Sequence, residues 1–152
     1  MSSSRTIPVL AFFRVLLGIF YLVSGGSKLL APYQNFLYVV QSYEVFTPFL
    51  EELASRLVPW VEFFLGLFLI LGLWLRYVLF GYLGLIIGFL FLLEQAMWRN
   101  LPIDHCGCFG SWLPISLRTM FFIDSATGLL VILMLRRLKQ TSWLSLDNYF
   151  SK

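Results

Sequence analysis

The stretch VPWVEFFLGLFLILGLWLRYVLFGYLGLIIGFLFLLEQAM, residues 58–97, is predominantly apolar on both sides of one arginine, Arg76. Each half comes close to the ~20 residues that cross a hydrocarbon core. The break between them has room only for a tight turn, so the halves, 58–75 and 77–97, are predicted to be antiparallel neighbours in a bilayer. Working outward, two more runs of the same kind lie at 9–30 and 116–135, which makes four spans. Composition agrees. The chain has 152 residues, 59% of them hydrophobic and 12% charged, with a mean hydropathy of +0.83. A soluble domain carries roughly a quarter charged residues. The expected fold is an all-α integral membrane protein, a four-transmembrane-helix bundle occupying residues 1–140 as a single domain, with an amphipathic C-terminal tail over 141–152.

The first run resembles a signal peptide at its start, with Arg5 before it and small residues at Val23-Ser24-Gly25. Arg14 would interrupt the apolar core of such a signal, and the run continues to Leu30, so it is read as a retained span. Between the first two spans, Pro32 to Arg56 is mixed and aromatic: Tyr33, Phe36, Tyr38, Tyr43 and Phe46 stand among Gln34, Gln41 and Glu44. This is the pattern of an interfacial amphipathic helix or a re-entrant piece. A short acidic helix start follows at Thr47-Pro48, a capping residue with proline at the first helical position.

Four spans put both termini on one side, together with Arg5, Arg76, Arg136, Arg137, Lys139 and Lys152; Lys28, Arg56, Arg99 and Arg118 fall on the other. The positive-inside rule then predicts a multi-pass protein of the cytoplasmic membrane with cytoplasmic termini. The net charge of +3 is a topology signal and not a nucleic-acid footprint. Trp60, Trp98 and Trp112 would ring the outer interface, Trp74 and Tyr77 the inner one. Gly-rich phosphate loops, zinc-finger spacings and soluble catalytic domains are all missing from the pattern.

Five ionisable groups within the spans stand out: Arg14, Lys28, Glu62, Glu94 and Asp124. Such groups are costly in lipid and seldom face it. At 1.5 Å per residue, the up-down topology sets Lys28, Glu62, Glu94 and Asp124 in one leaflet and Arg14 in the other. The plain expectation is that Lys28 pairs with Glu62 or Asp124 and fixes helix packing. The sharper one is a polar floor that relays protons or hydrogen-bonds a quinone-like ring. Gly18, Gly25, Gly26, Gly66, Gly72, Gly81, Gly84 and Gly88 are read mostly as close-packing residues of the bundle.

Above that floor, on the outward side, lies His105-Cys106-Gly107-Cys108-Phe109-Gly110, which holds both cysteines and the single histidine. A Cys106–Cys108 disulfide would close a small, strained ring that is easily reduced and is therefore a good oxidant of another dithiol. A protonated His105 would stabilise a neighbouring thiolate. Other uses remain open: an inert disulfide, a reduced tight turn, or a soft ion such as Cu(I) on the Cys-x-Cys pair. A four-coordinate zinc would need a ligand from elsewhere, so no metal site is assigned. One thiol pair cannot form a self-contained relay of two pairs. Onward electron transfer needs a quinone or a second protein, and no cofactor is fixed by the residues.

Arg14-Val-Leu-Leu-Gly18 through Ser24-Gly-Gly-Ser-Lys28, Pro59-Trp-Val-Glu62 with Gly66 and Leu71-Gly-Leu-Trp-Leu-Arg76, Cys106-Gly-Cys-Phe-Gly110 and Leu117-Arg118 occur in that order. Together they resemble the DoxX-like membrane proteins, and within them the redox-associated MauE branch, over 14–135. The resemblance implies a four-helix membrane bundle and a role in cofactor or disulfide maturation of extracytoplasmic proteins. It carries over Arg14, Lys28, Glu62, Cys106 and Cys108; Glu94 and Asp124 rest on the physical argument alone. The expected function is a membrane-embedded thiol–disulfide redox protein, with Cys106, Cys108 and His105 as the reacting set. Its partners would be the lipid bilayer and a thioredoxin-like or disulfide-containing client. The alternative is a small accessory subunit of a larger membrane complex with no catalysis of its own.

Overall fold

Residues 6–103 and 115–142 are described by a computed structural model. Six helices follow one another: α1 (Thr6–Leu30), α2 (Tyr33–Ser42), α3 (Pro48–Leu71), α4 (Leu75–Trp98), α5 (Leu117–Arg136) and the single turn α6 (Leu138–Thr141). Four of them, α1, α3, α4 and α5, are long and apolar enough to cross a membrane, so the chain is a multi-pass helical membrane protein. Their outward faces carry Phe12, Phe64, Phe91, Phe122 and Leu129, exposed as lipid-facing residues are.

Local chemistry sets the ends. Thr47 is the N-cap of α3 and Pro48 occupies its first turn, where a missing N–H leaves nothing unsatisfied. Glu51 sits in that turn, favourably placed for the helix dipole. Gly72 closes α3 in the left-handed region at φ 69°, and the N–H groups of Gly72 and Leu73 both return to the Phe68 carbonyl. Trp74, also left-handed, completes the turn into α4. Ser116 caps α5 by accepting from the Thr119 N–H at 3.3 Å.

Two expectations change. The second span was expected from residue 58, after a separate acidic start. The helix instead begins at Pro48 and runs unbroken through Pro59, so the acidic start and the span are one rod. Its outer turns extend past the end of α1 and meet α2, where the Arg56 guanidinium lies 4.9 Å from the Tyr33 ring centroid. The turn between the second and third spans falls at 72–74, ahead of Arg76, because Gly72 and not the charge stops the helix.

The helices pair in two antiparallel sets, α1 with α3 and α4 with α5. The core between the sets is built from Leu17, Tyr21, Leu69, Leu79, Tyr82, Ile86, Val131 and Met134. The Tyr21 and Tyr82 rings meet edge to face at 4.5 Å. The α1–α3 seam is closed by glycine. A Cβ on Gly25 would stand 2.6 Å from the Phe63 nitrogen, and one on Gly66 would stand 2.6 Å from the Leu22 nitrogen. A third seam glycine, Gly18, would meet Ile70 at 2.7 Å. Although α3 and α4 are joined by the tight turn, they do not close on each other along their length. With α2 they border an apolar groove of about 500 Å³ whose lining includes Phe36, Val58, Gly84, Gly88 and Phe89. A Cβ on Gly84 or Gly88 would meet nothing within 4 Å. The close-packing expectation holds for Gly18, Gly25 and Gly66 and fails for Gly84 and Gly88, while Gly72 serves a turn.

Candidate functional site: a buried ionic cluster at one end of the bundle

Ser24 and Lys28 are four residues apart on α1 and share one face. Gly25 lets that face approach α3 so closely that Pro59, Glu62 and Phe63 lie directly opposite. The outcome is a compact cluster. The Lys28 Nζ donates to Glu62 Oε2 at 2.6 Å, to Glu62 Oε1 at 2.8 Å and to Ser24 Oγ at 3.2 Å. Ser24 Oγ donates to Glu62 Oε2 at 3.2 Å. The Lys28 and Glu62 side chains are 1% and 2% exposed. The remaining sides of the ammonium are faced by aromatic rings, with Phe36 at 5.0 Å and Phe89 at 5.9 Å from Nζ to centroid. A charge this deep persists because every direction offers it a carboxylate, a hydroxyl or a π-face.

Asp124 reaches the same region from α5. It is buried, and it lines a cavity of about 20 Å³ together with Phe20, Tyr21, Ser24, Glu62, Phe89 and Met120. Its Oδ2 has no hydrogen-bond partner among the described residues, and the same is true of the Tyr82 hydroxyl. Tyr43, just past α2, is buried at the edge of this region. Burial, reinforced by the charge of Asp124, pushes its phenol up to about 12.

The structure therefore brings together three of the expected groups, Lys28, Glu62 and Asp124. The lysine chooses Glu62 over Asp124 as its direct partner. Glu94 is not with them. It lies on the exposed face of α4, beside Phe91, Gln95, Trp98 and Arg99. Arg14 is far down α1, buried, and its Nη1 donates to the Thr141 carbonyl at 2.9 Å. It ties α6 to the opposite end of the bundle. Cys106, Cys108 and His105 lie outside the described residues. The flanks of their segment are placed: Ile103 and Ile115 pack against Tyr43, Leu93, Ala96, Leu117 and Met120. Met120 in turn lines the Asp124 cavity.

Sequence reasoning missed Ser24, Phe36 and Phe89 as parts of this cluster. Ser24 was findable, since the i, i+4 spacing to Lys28 puts a hydroxyl on the lysine's face. The two phenylalanines left no signal, because nothing distinguishes them from the other aromatic residues of the chain. Among the described residues no group of three or more His, Cys, Asp and Glu is arranged to hold a metal ion.

A family profile described as "Methylamine utilisation protein MauE" matches residues 6–137. Neither a curated protein nor a solved structure matches the chain.

Proposed function

The chain belongs to the MauE family, and from that membership we propose that it is a thiol–disulfide redox protein of the cytoplasmic membrane that assists disulfide formation or maturation of extracytoplasmic proteins. The proposal includes kinship with the wider DoxX-like group, cytoplasmic termini and an extracytoplasmic Cys-Gly-Cys segment. The observation that carries it is the buried Lys28–Glu62–Ser24 cluster, with Asp124 beside it, at the bundle end whose helices lead into and out of residues 104–114. A membrane bundle retains so costly a group at one end where that end has chemistry to support.

In the proposed cycle the Cys106–Cys108 disulfide is the oxidant. A client thiolate attacks one of its sulfurs, the Cys106–Cys108 bond breaks, and a mixed disulfide forms. The client's second thiolate then attacks the mixed disulfide. The client leaves as its disulfide, and Cys106 and Cys108 are left as the dithiol, having gained two electrons and two protons. His105 stabilises the leaving thiolate. A lipid-soluble quinone or a thioredoxin-like disulfide protein takes the two electrons and restores the oxidised pair. Arg14, Lys28, Glu62 and Asp124 hold the scaffold in place, and Glu94 stays at its surface.

The test is direct. Cys106→Ser and Cys108→Ser should each insert into the membrane and lose exchange with a model dithiol peptide. Activity equal to the parent in both variants rejects the mechanism. A second reading, an accessory subunit without catalysis, is favoured by the open groove along Gly84 and Gly88. It expects unreactive thiols and a stoichiometric membrane partner on gentle purification.

A further inference from the structure

The proposed redox cycle gives no role to the Asp124 oxygen that has no partner among the described residues. We propose that the cavity between Asp124, Glu62 and Ser24 is a proton-binding site, which holds one water-sized molecule and one exchangeable proton carried by Asp124.

Lys28 and Glu62 satisfy each other, with both carboxylate oxygens on one ammonium. Asp124 is then a second carboxylate with no cation of its own in hydrogen-bond contact. It is 4% exposed, and its Oδ2 has no partner among the described residues. A lone buried carboxylate is expensive in a bilayer. Either a proton or a small cation must neutralise it.

Volume and donor chemistry decide between them. The cavity is about 20 Å³, above the roughly 10–15 Å³ that one water needs and too small for an organic ligand. Its polar lining consists of Asp124, Glu62, Ser24 and the Tyr21 residue, while Phe20, Phe89 and Met120 complete the wall. A water here finds the two to four polar partners that hold buried water in place. A hard cation would need about six oxygens, and both Glu62 oxygens of the wall already accept from the Lys28 ammonium. The Lys28 ammonium, 2.6 Å from Glu62 Oε2 of the cavity wall, repels a metal ion but not a neutral acid.

Among the described residues, the charged and titratable groups around Asp124 are Lys28 and Tyr21 from α1, Tyr43 from the segment after α2 and Glu62 from α3, with Tyr82 of α4 in ring contact with Tyr21. Of these, only Lys28 is a cation, and it is already engaged. When Asp124 carries the proton, α5 faces the α1–α3 pair with a neutral hydrogen-bond donor. When the proton leaves, two carboxylates line one cavity with a single ammonium, bound to Glu62, to offset them, and the contact of α5 with that pair weakens.

The experiment uses the full chain in phosphatidylcholine vesicles, with aspartate ¹³C-labelled at the side-chain carboxyl. The sequence holds three aspartates, Asp104, Asp124 and Asp147, so Asp104→Asn/Asp147→Asn leaves Asp124 as the one labelled acid. The infrared spectrum at neutral pH should contain an isotope-shifted carboxylic-acid C=O band that moves in D₂O and is the same in sodium and potassium buffers. Parent and double variant should both show it, and Asp124→Asn should lose it. A double variant with only carboxylate bands overturns the proposal. A band that sodium abolishes also overturns it, and assigns the cavity to a cation instead.

Discussion

Two regions of this protein are made from the same residue and behave oppositely. Along the α1–α3 seam, Gly18, Gly25 and Gly66 leave no room for even one carbon, and the backbones touch. Along the groove bordered by α2, α3 and α4, Gly84 and Gly88 face open space. The seam is where Lys28 and Glu62 meet, and the contact depends on that closeness: the Lys28 Nζ reaches both Glu62 oxygens within 2.8 Å. In a membrane, where apolar side chains gain little from leaving lipid for protein, close backbone approach and polar contact are the main sources of helix association. The seam uses both, and the groove uses neither. A glycine in a membrane helix thus has no fixed meaning until its facing partner is known.

The sharpest way to break this contrast is at the ion pair. Lys28→Ala leaves Glu62 buried and alone, and should destabilise the bundle by about 3–5 kcal/mol in detergent unfolding; Lys28→Met with Glu62→Met should recover most of that loss. If the double variant is as unstable as the single one, the ion pair is not what the buried charges depend on. The next effect should come from the seam glycines. Gly25→Ala and Gly66→Ala force a Cβ against backbone, and each should cost about 1–3 kcal/mol in the same assay. An unchanged midpoint would show that the seam is looser than described.

The smallest effect should have the opposite sign. Gly84→Ala and Gly88→Ala add a methyl to open space in a helix, and each should stabilise by about 0.5–1 kcal/mol, because alanine is the better helix former. A loss of stability that appears in native membranes and not in detergent would mean that a partner fills the groove, and would favour the accessory-subunit reading.

Much of this architecture was legible from the chain. Runs of about the right length announced four crossings, and Thr47-Pro48 announced a helix start. The grouping of Lys28, Glu62 and Asp124 also followed from counting residues along an up-down path, because a fixed rise per residue converts position into depth. Other parts were hidden. Counting set Glu94 at the same depth, yet it faces outward. It could not tell whether Lys28 would take Glu62 or Asp124. It did not show that the helix starting at Thr47-Pro48 runs on without a break into the apolar span, through Pro59, which is buried inside α3.

What the sequence by itself determined is depth and order: how many times the chain crosses, in what sequence, and that Lys28, Glu62 and Asp124 fall at one level of the bundle. Tertiary structure decided rotation: which face of each helix turns inward, and so which carboxylate meets the lysine, which is left to line a cavity and which stays outside. The physical reason is that depth depends on a local quantity, the rise of the helix per residue, whereas the angle of a helix about its own axis is set by surfaces that belong to helices distant in the chain. Glycine at the α1–α3 seam let two such surfaces come close enough to settle it.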